Sequence, residues 1–328
     1  NVIIASTPAV SGTYAWTIPD AIGSQLRIRA TDASDATVND TSNANFTIKG
    51  SLTLTAPNGA EAWAVGSSQN ITWTKTGTIA NVKLEYSTNA FADELQTVVI
   101  VASTAADPLP TDNAGTYAWT IPDVISSNVK VRVSNTSDTL VNDVSNTTFK
   151  IVGSLTLTSP NGTEKWTVGA SQNITWTRSG SIANAKLEYS TNGGTTYPNL
   201  IIASTPAAGL SYAWTMPDAI SNTAKVRISD ALDATVNDES NANFMIKGGF
   251  TITAPNGGEV WPVASSQNII WTTAGTVANI KLEYSTDGGA TYPNVIIATT
   301  PNTNSYAWSI PDSISSTVKV KISDASNA

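Results

Sequence analysis

Three recurring sets of side chains in this sequence could do chemistry. The first is acidic and closely spaced: Asp32, Asp35 and Asp40, then Asp138 and Asp143 beside Asn135, then Asp230, Asp233 and Asp238. Oxygen ligands at short spacing suit Ca²⁺, so these eight aspartates are the candidate metal ligands and calcium is the one cofactor they suggest. The competing use of Asp, Asn and Ser is to cap turns and hydrate a loop. No Asp-x-Asp-x-Asp-Gly ligand loop accompanies them. The second set pairs Glu61, Glu164 and Glu259, each just after a Pro-Asn-Gly turn, with Glu85, Glu188 and Glu283. Two carboxylates flanking a bond would hydrolyse a glycoside. A catalytic pair in every repeat implies no single cleft, however, and Glu188 is expected to face Lys225 and Arg227 on the neighbouring strand. The third set is aromatic. Trp63, Trp166 and Trp261, with Tyr197 and Tyr292, could stack on sugars or could fill a core. An amide cross-link would need a buried lysine beside a carboxylate, and the lysines have outward parity.

Composition removes most other chemistry. The chain has 328 residues, net charge −8, and neither His nor Cys. That excludes a Ser-His-Asp triad, a His- or Cys-ligated zinc, an iron–sulfur centre and any disulfide. No enzymatic activity is expected. With 17 Lys and Arg against 25 Asp and Glu, nucleic acid is an unsuitable partner. No apolar run approaches the roughly 18–20 residues of a membrane span. No signal peptide opens the chain.

The elements that must position these side chains come from a long internal repeat. Trp16-Thr-Ile-Pro-Asp20 returns with its Trp at 119, 214 and 308, at intervals of 103, 95 and 94 residues. Pro-Asn-Gly recurs at 57–59, 160–162 and 255–257, and Lys-Leu-Glu-Tyr-Ser-Thr at 83–88, 186–191 and 281–286. So long a period is a whole domain rather than a solenoid turn. Residues 1–50 read as the second half of one repeat. Residues 51–153 and 154–248 are full repeats, and 249–328 is a repeat lacking its last strand. The chain reads as a window cut from a longer tandem array.

Within 154–248, Leu155 and Leu157, Ile174 and Trp176, Leu187 and Tyr189, Tyr212 to Met216, Val226 and Ile228, and Phe244 and Ile246 each alternate with polar residues. Period-two alternation over short runs predicts strands with one buried face. About seven strands in 95 residues, with turns at Pro160-Asn-Gly162, Asn192-Gly-Gly194 and Pro217-Asp218, predict an all-β fold of tandem immunoglobulin-like or fibronectin-III-like β-sandwiches. The second repeat carries its extra length in loops at 89–96 and 105–113. Joints of one or two residues predict a semi-rigid rod.

Pro-Asn-Gly-x-Glu-x-Trp, Ser-Gln-Asn-Ile-x-Trp-Thr, Lys-Leu-Glu-Tyr-Ser-Thr, Ser-Tyr-Ala-Trp-Thr-Met-Pro-Asp and Lys-Val-Arg-Ile-Ser-Asp together resemble a known repeat. It is the Ser/Thr-rich immunoglobulin-like repeat of large bacterial surface and secreted proteins, distantly similar to a domain of yeast cell-wall glucan-assembly proteins. The resemblance covers the whole chain. It implies an extracellular β-sandwich spacer in long arrays, with no catalytic residues. The sequence departs from it at 89–97, where Asn-Gly-Gly and the following aromatic are lost.

The expected function is therefore structural, outside the cell: a repeat segment of a filament, fibre or surface stalk. Its expected partners are other copies of itself, as a homo-polymer, and cell-surface glycans. The alternatives are a passive spacer of a large adhesin or secreted enzyme, and a carbohydrate-binding module.

Overall fold

The computed structural model describes residues 1–108 and 112–326. The centre of the second expected insertion, 109–111, and the final two residues lie outside them. The described chain divides into two compact units, Asn1–Gly153 and Ser154–Ala328.

In the first unit, β1 (Gly23–Leu26) pairs with β4 (Phe46–Ile48), and β2 (Arg29–Thr31) with β3 (Asn39–Thr41). The second repeat follows as β5 (Ser51–Ala56), β6 (Ala62–Ala64), β7 (Ser68–Thr76), β8 (Asn81–Ser87), β9 (Thr97–Ala105), β10 (Ala114–Thr120), β11 (Ser126–Asn135), β12 (Asn142–Val144) and β13 (Phe149–Val152). They form two sheets, in the orders β10-β7-β5 and β6-β13-β11-β8-β9, with β12 also on β11. The β6–β13 pair is parallel, and the other pairs of this repeat are antiparallel.

The second unit repeats the plan. The third repeat has β14 (Ser154–Ser159), β15 (Lys165–Thr167), β16 (Ser171–Ser179), β17 (Asn184–Ser190), β18 (Asn199–Pro206), β19 (Ser211–Thr215), β20 (Ser221–Asp230), β21 (Asn237–Glu239) and β22 (Phe244–Lys247). Its sheets are β14-β16-β19 and β15-β22-β20-β17-β18. In the fourth repeat, β23 (Gly249–Ala254), β24 (Ser266–Ala274) and β27 (Ser305–Ser309) form one sheet. There β25 (Asn279–Ser285), β26 (Asn294–Pro301) and β28 (Lys319–Asp324) form the other. The fold is all-β, built of immunoglobulin-like and fibronectin-III-like sandwiches.

The alternation in sequence becomes the core. On β7, Ile71 and Trp73 are buried while Ser68, Asn70 and Thr74 are exposed. Trp73, Trp176 and Trp271 are among the largest fully buried side chains. Burial of an indole requires a partner for its N–H. Trp73 and Trp176 donate to the carbonyls of Ala106 and Ala207, both at 3.0 Å, and Trp271 to Asn302 Oδ1 at 2.8 Å.

Nine strands rather than about seven make the third repeat. Six of them are the alternating runs of the sequence; the other three, β15, β18 and β21, are short or unalternating. In β18 an apolar run sits on a sheet edge, where both faces are part-exposed, so no period-two signal is written into it.

Candidate functional site

The acidic loops are built of local turns. Asp32 accepts the N–H and hydroxyl of Ser34, and Asp35 those of Thr37. Hydrogen bonds to the ionised form lower a carboxyl's pKa. The Ser34 N–H and then its hydroxyl hold Asp32 below the usual range; for Asp35 the Thr37 hydroxyl leads and its N–H follows. Asp40 lies on β3 opposite Ala30. Asp230 accepts from Leu232 N–H, and Asp233 from the N–H and hydroxyl of Thr235. Asp138 binds Lys49 Nζ at 2.9 Å and also accepts the Leu140 N–H; Lys49 is the main cause of its lowered pKa.

Two aspartates reach further. Asp143 Oδ2 accepts the Leu54 N–H at 2.7 Å, and Asp238 Oδ2 the Leu157 N–H, also at 2.7 Å. Each ties the short strand after its acidic loop to the first strand of its repeat, bridging the two sheets. Among the described residues, no three acidic side chains converge in a group able to hold a metal ion.

The glutamates are also structural. Glu61 Oε1 and Oε2 accept the N–H groups of Asn58 and Gly59 at 2.8 Å, closing the Pro-Asn-Gly turn from three residues away. Glu164 and Glu259 do the same in their own turns. Gly59 is required there. Its φ is +128°, and a Cβ would fall 1.7 Å from Thr147 Oγ1.

The strand glutamates sit in ion clusters. Glu188 pairs with Arg227 directly across the ladder at 2.8 Å, as expected, but its second partner is Lys186 at 2.7 Å. Lys225 turns instead to Glu239 at 3.4 Å. The reason is reach: Lys225 stands opposite Ser190, two residues along, whereas Arg227 stands opposite Glu188. Burial works against the Glu188 charge, but Lys186 and Arg227 outweigh it and keep the carboxyl below its usual range. Glu85 meets Lys83 and Arg132, and Glu283 meets Lys281 and Lys321.

An aromatic ring lies over the cation in each cluster. The Arg227 guanidinium stacks 4.4 Å from the Tyr197 ring centre, and Lys321 Nζ lies 5.6 Å from that of Tyr292. Tyr197 donates to Glu239, and burial, aided by that carboxylate, pushes its phenol up. The departure at 89–97 turns out to conserve this arrangement. Ser87 Oγ accepts the N–H of Phe91 as Ser190 Oγ accepts that of Gly194. Both residues have positive φ, and a Cβ on Gly194 would lie 3.0 Å from the Tyr197 hydroxyl. With no tyrosine there, Phe91 occupies the space and lies 4.6 Å under Arg132.

The sugar-platform expectation fails for Trp63 and Trp166. Both are buried, edge-on to Trp119 and Trp214 and tilted on Phe149 and Phe244. Trp261 is half-buried, edge-on to Trp308. Tyr197 and Tyr292 are committed to their cations. The outward parity of the lysines also fails once, at Lys75. Its side chain is 12% exposed and lies 3.6 Å from Asp107.

Two features recur without a candidate having marked them. The β6–β13 and β15–β22 pairs join the start of a repeat to its end in parallel. Their flanking hydrogen bonds run from Lys150 N–H to Glu61 O and from Met245 N–H to Glu164 O, both at 2.8 Å. The outer strands β9, β18 and β26 end their sheets with no charged residue and with exposed Val98, Val99, Leu200 and Val295. Two further aspartates, Asp20 and Asp218, bond outside their own repeats; the recurrence of Trp-x-x-Pro-Asp was their signal.

No known protein family matches the chain, and no curated protein does. Among solved structures it is similar to the fibronectin(III)-like modules of Clostridium thermocellum CbhA, at 16% identity over 60% of this chain and 94% of that one, with TM-score 0.22. It is also similar to the ICAM-5 D1–D4 ectodomain fragment, at 12% identity over 92% of this chain and 83% of that one, with TM-score 0.31. No helix among the described residues is long and apolar enough to cross a membrane.

Proposed function

We propose that the chain is a load-bearing structural segment outside the cell, part of a filament, fibre or surface stalk. Its working parts are a half repeat at 1–50, repeats at 51–153 and 154–248, and the shorter repeat at 249–328. The observation that carries this reading is the parallel closure of each full repeat. Tension along the chain pulls β6 and β13, or β15 and β22, in opposite directions along their length. The rungs between them are then loaded together rather than one by one. The test is single-molecule extension of the whole chain. Discrete ruptures, each releasing roughly 300 Å at about 3.3–3.6 Å per residue, are expected for the full repeats. Smooth extension without ruptures would overturn the reading.

Lateral assembly of copies is favoured over a passive spacer by the outer strands. Proteins usually blunt a sheet edge with Lys or Pro inside it, whereas β9, β18 and β26 hold no charge, carry Pro only as the last residue of β18 and of β26, and expose valine or leucine. A second copy's edge is the occupant that fits. Electron microscopy of wild type and of the triple variant Val98→Lys, Leu200→Lys, Val295→Lys tests this. Filaments lost in the variant support assembly through these edges. Filaments in both would exclude the edges, and isolated rods in both would leave the spacer.

A further inference from the structure

In two places the aspartate of the Trp-x-x-Pro-Asp motif bonds to the repeat that follows its own. In the first unit, Asp20 Oδ1 accepts the N–H of Thr78 at 2.9 Å, and Oδ2 accepts the Thr78 hydroxyl at 2.5 Å. In the second unit, Asp218 takes the N–H and hydroxyl of Thr276 at the same two distances. The partners are 58 residues apart in both cases and belong to successive repeats.

The surroundings match as well. Thr78 and Thr276 follow Gly77 and Gly275, with φ of +82° and +83°. A Cβ on Gly77 would lie 3.1 Å from Asp20 Oδ1 and 3.3 Å from the tip of Ile22, and one on Gly275 would lie 3.2 Å from Asp218 Oδ1. Glycine is therefore needed twice over, for its backbone and for the close approach. Ile79 and Val277, next along, are core residues of the receiving repeat, and Ile220, two residues after Asp218, packs against that core. The linker glycines sit in the same place: a Cβ on Gly50 would be 3.0 Å from Ile79 Cδ1, and one on Gly248 would be 2.3 Å from Val277 Cγ2. The fourth repeat supplies an internal comparison. Ile314 follows Asp312 as Ile22 follows Asp20, yet it is 91% exposed against 44%.

We infer that the Pro-Asp corner of one repeat and the Gly-Thr turn of the next form a latch that sets the angle between consecutive repeats. The aspartate supplies both acceptors, and the threonine supplies one backbone and one side-chain donor. Two donors on one carboxylate fix orientation as well as distance, which a flexible linker cannot. The isoleucine two residues after the aspartate adds an apolar contact at the joint, against the turn glycine at Ile22 and against the receiving core at Ile220. The latch serves a filament and a free stalk equally, so it stands apart from the assembly reading.

The test uses the whole chain. It has no cysteine, so Leu232→Cys and Val260→Cys, both exposed, place one spin label on each of the third and fourth repeats. Pulsed dipolar spectroscopy then reads the distance distribution between them. A single narrow distribution is expected in the parent. Asp218→Ala should broaden it at least twofold, Thr276→Val should broaden it less, and the double variant should match Asp218→Ala alone. Circular dichroism and tryptophan fluorescence check that both repeats remain folded; if Asp218→Ala unfolds one, Thr276→Val decides, since it keeps volume and the backbone donor. A parent-like width in the folded variants would overturn the latch.

Discussion

Replacing Asp238 by alanine should loosen the third repeat at one identifiable point. Its carboxylate accepts the N–H of Leu157, whose side chain is fully buried on the first strand of the repeat. Removing the acceptor takes the carboxylate away from a part-buried donor between the sheets. A buried group left unsatisfied costs about 1–3 kcal/mol. At about 2 kcal/mol, a sandwich of this size should lose roughly 8–16 °C of its transition temperature. Four repeats need not unfold together, so a single melting temperature is an insufficient readout. Amide hydrogen exchange at Leu157 isolates the site. Its protection should fall about 30-fold in Asp238→Ala, and by less in Asp238→Asn, which keeps one acceptor oxygen. Asp35→Ala, which removes a turn contact exposed to solvent, should leave exchange at Leu157 close to wild type. The measurement is made with calcium and with chelator. Unchanged exchange at Leu157 in Asp238→Ala would refute the bridging role. Protection that depends on calcium in wild type and not in the variant would refute it too, because the carboxylate would then be serving an ion.

Other perturbations follow the same logic. Gly115→Ala should destabilise the second repeat by about 1–3 kcal/mol, because the new methyl would lie 2.1 Å from the Trp73 ring; urea unfolding followed by tryptophan fluorescence reads it. Phe91→Ala should cost about 0.5–1 kcal/mol through loss of the Arg132 stack, and faster exchange at the 89–96 amides would show it. Glu188 is held below its usual range in the folded chain, so its stabilisation is full above its unfolded value, roughly 4.3, and is lost as pH falls through the lower folded value. Calorimetry from about pH 6 to about pH 3 should show a shallower acid limb for Glu188→Gln than for wild type.

Much of the fold was legible because burial in a sandwich alternates. Ile174 and Trp176, or Val226 and Ile228, announce an inward face by parity alone, and the Trp-x-x-Pro-Asp interval counts the repeats. What parity could not reveal lay at edges and ends. The Leu200, Ile201 and Ile202 run of β18 is apolar on both faces yet part-exposed, so it carries no period. Trp166 and its counterparts left a sugar platform open beside the core reading, because one strand's parity cannot tell which of its faces another sheet covers.

The site residues divide along the same line. Turn capping by loop aspartates was readable: Asp35 caps a turn two residues away, a partner close enough in the chain for type and spacing to find it. Glu61, weighed only as half of a carboxylate pair, closes a turn from three residues away. Asp143 and Asp238 looked like the rest of an acidic loop, yet their partners lie 89 and 81 residues away. Asp20 was never a candidate, because its partner belongs to the following repeat. Phe91 looked like a loss of pattern until its ring was seen under Arg132. The sequence by itself determined the alternating strands and the local turns, since these follow from bonds within a few residues and from which face is apolar. Only the tertiary structure decided which carboxylate bridges sheets, which latches a joint and which merely caps a turn. All three use the same group, and they differ only in the distant N–H that the fold brings to it.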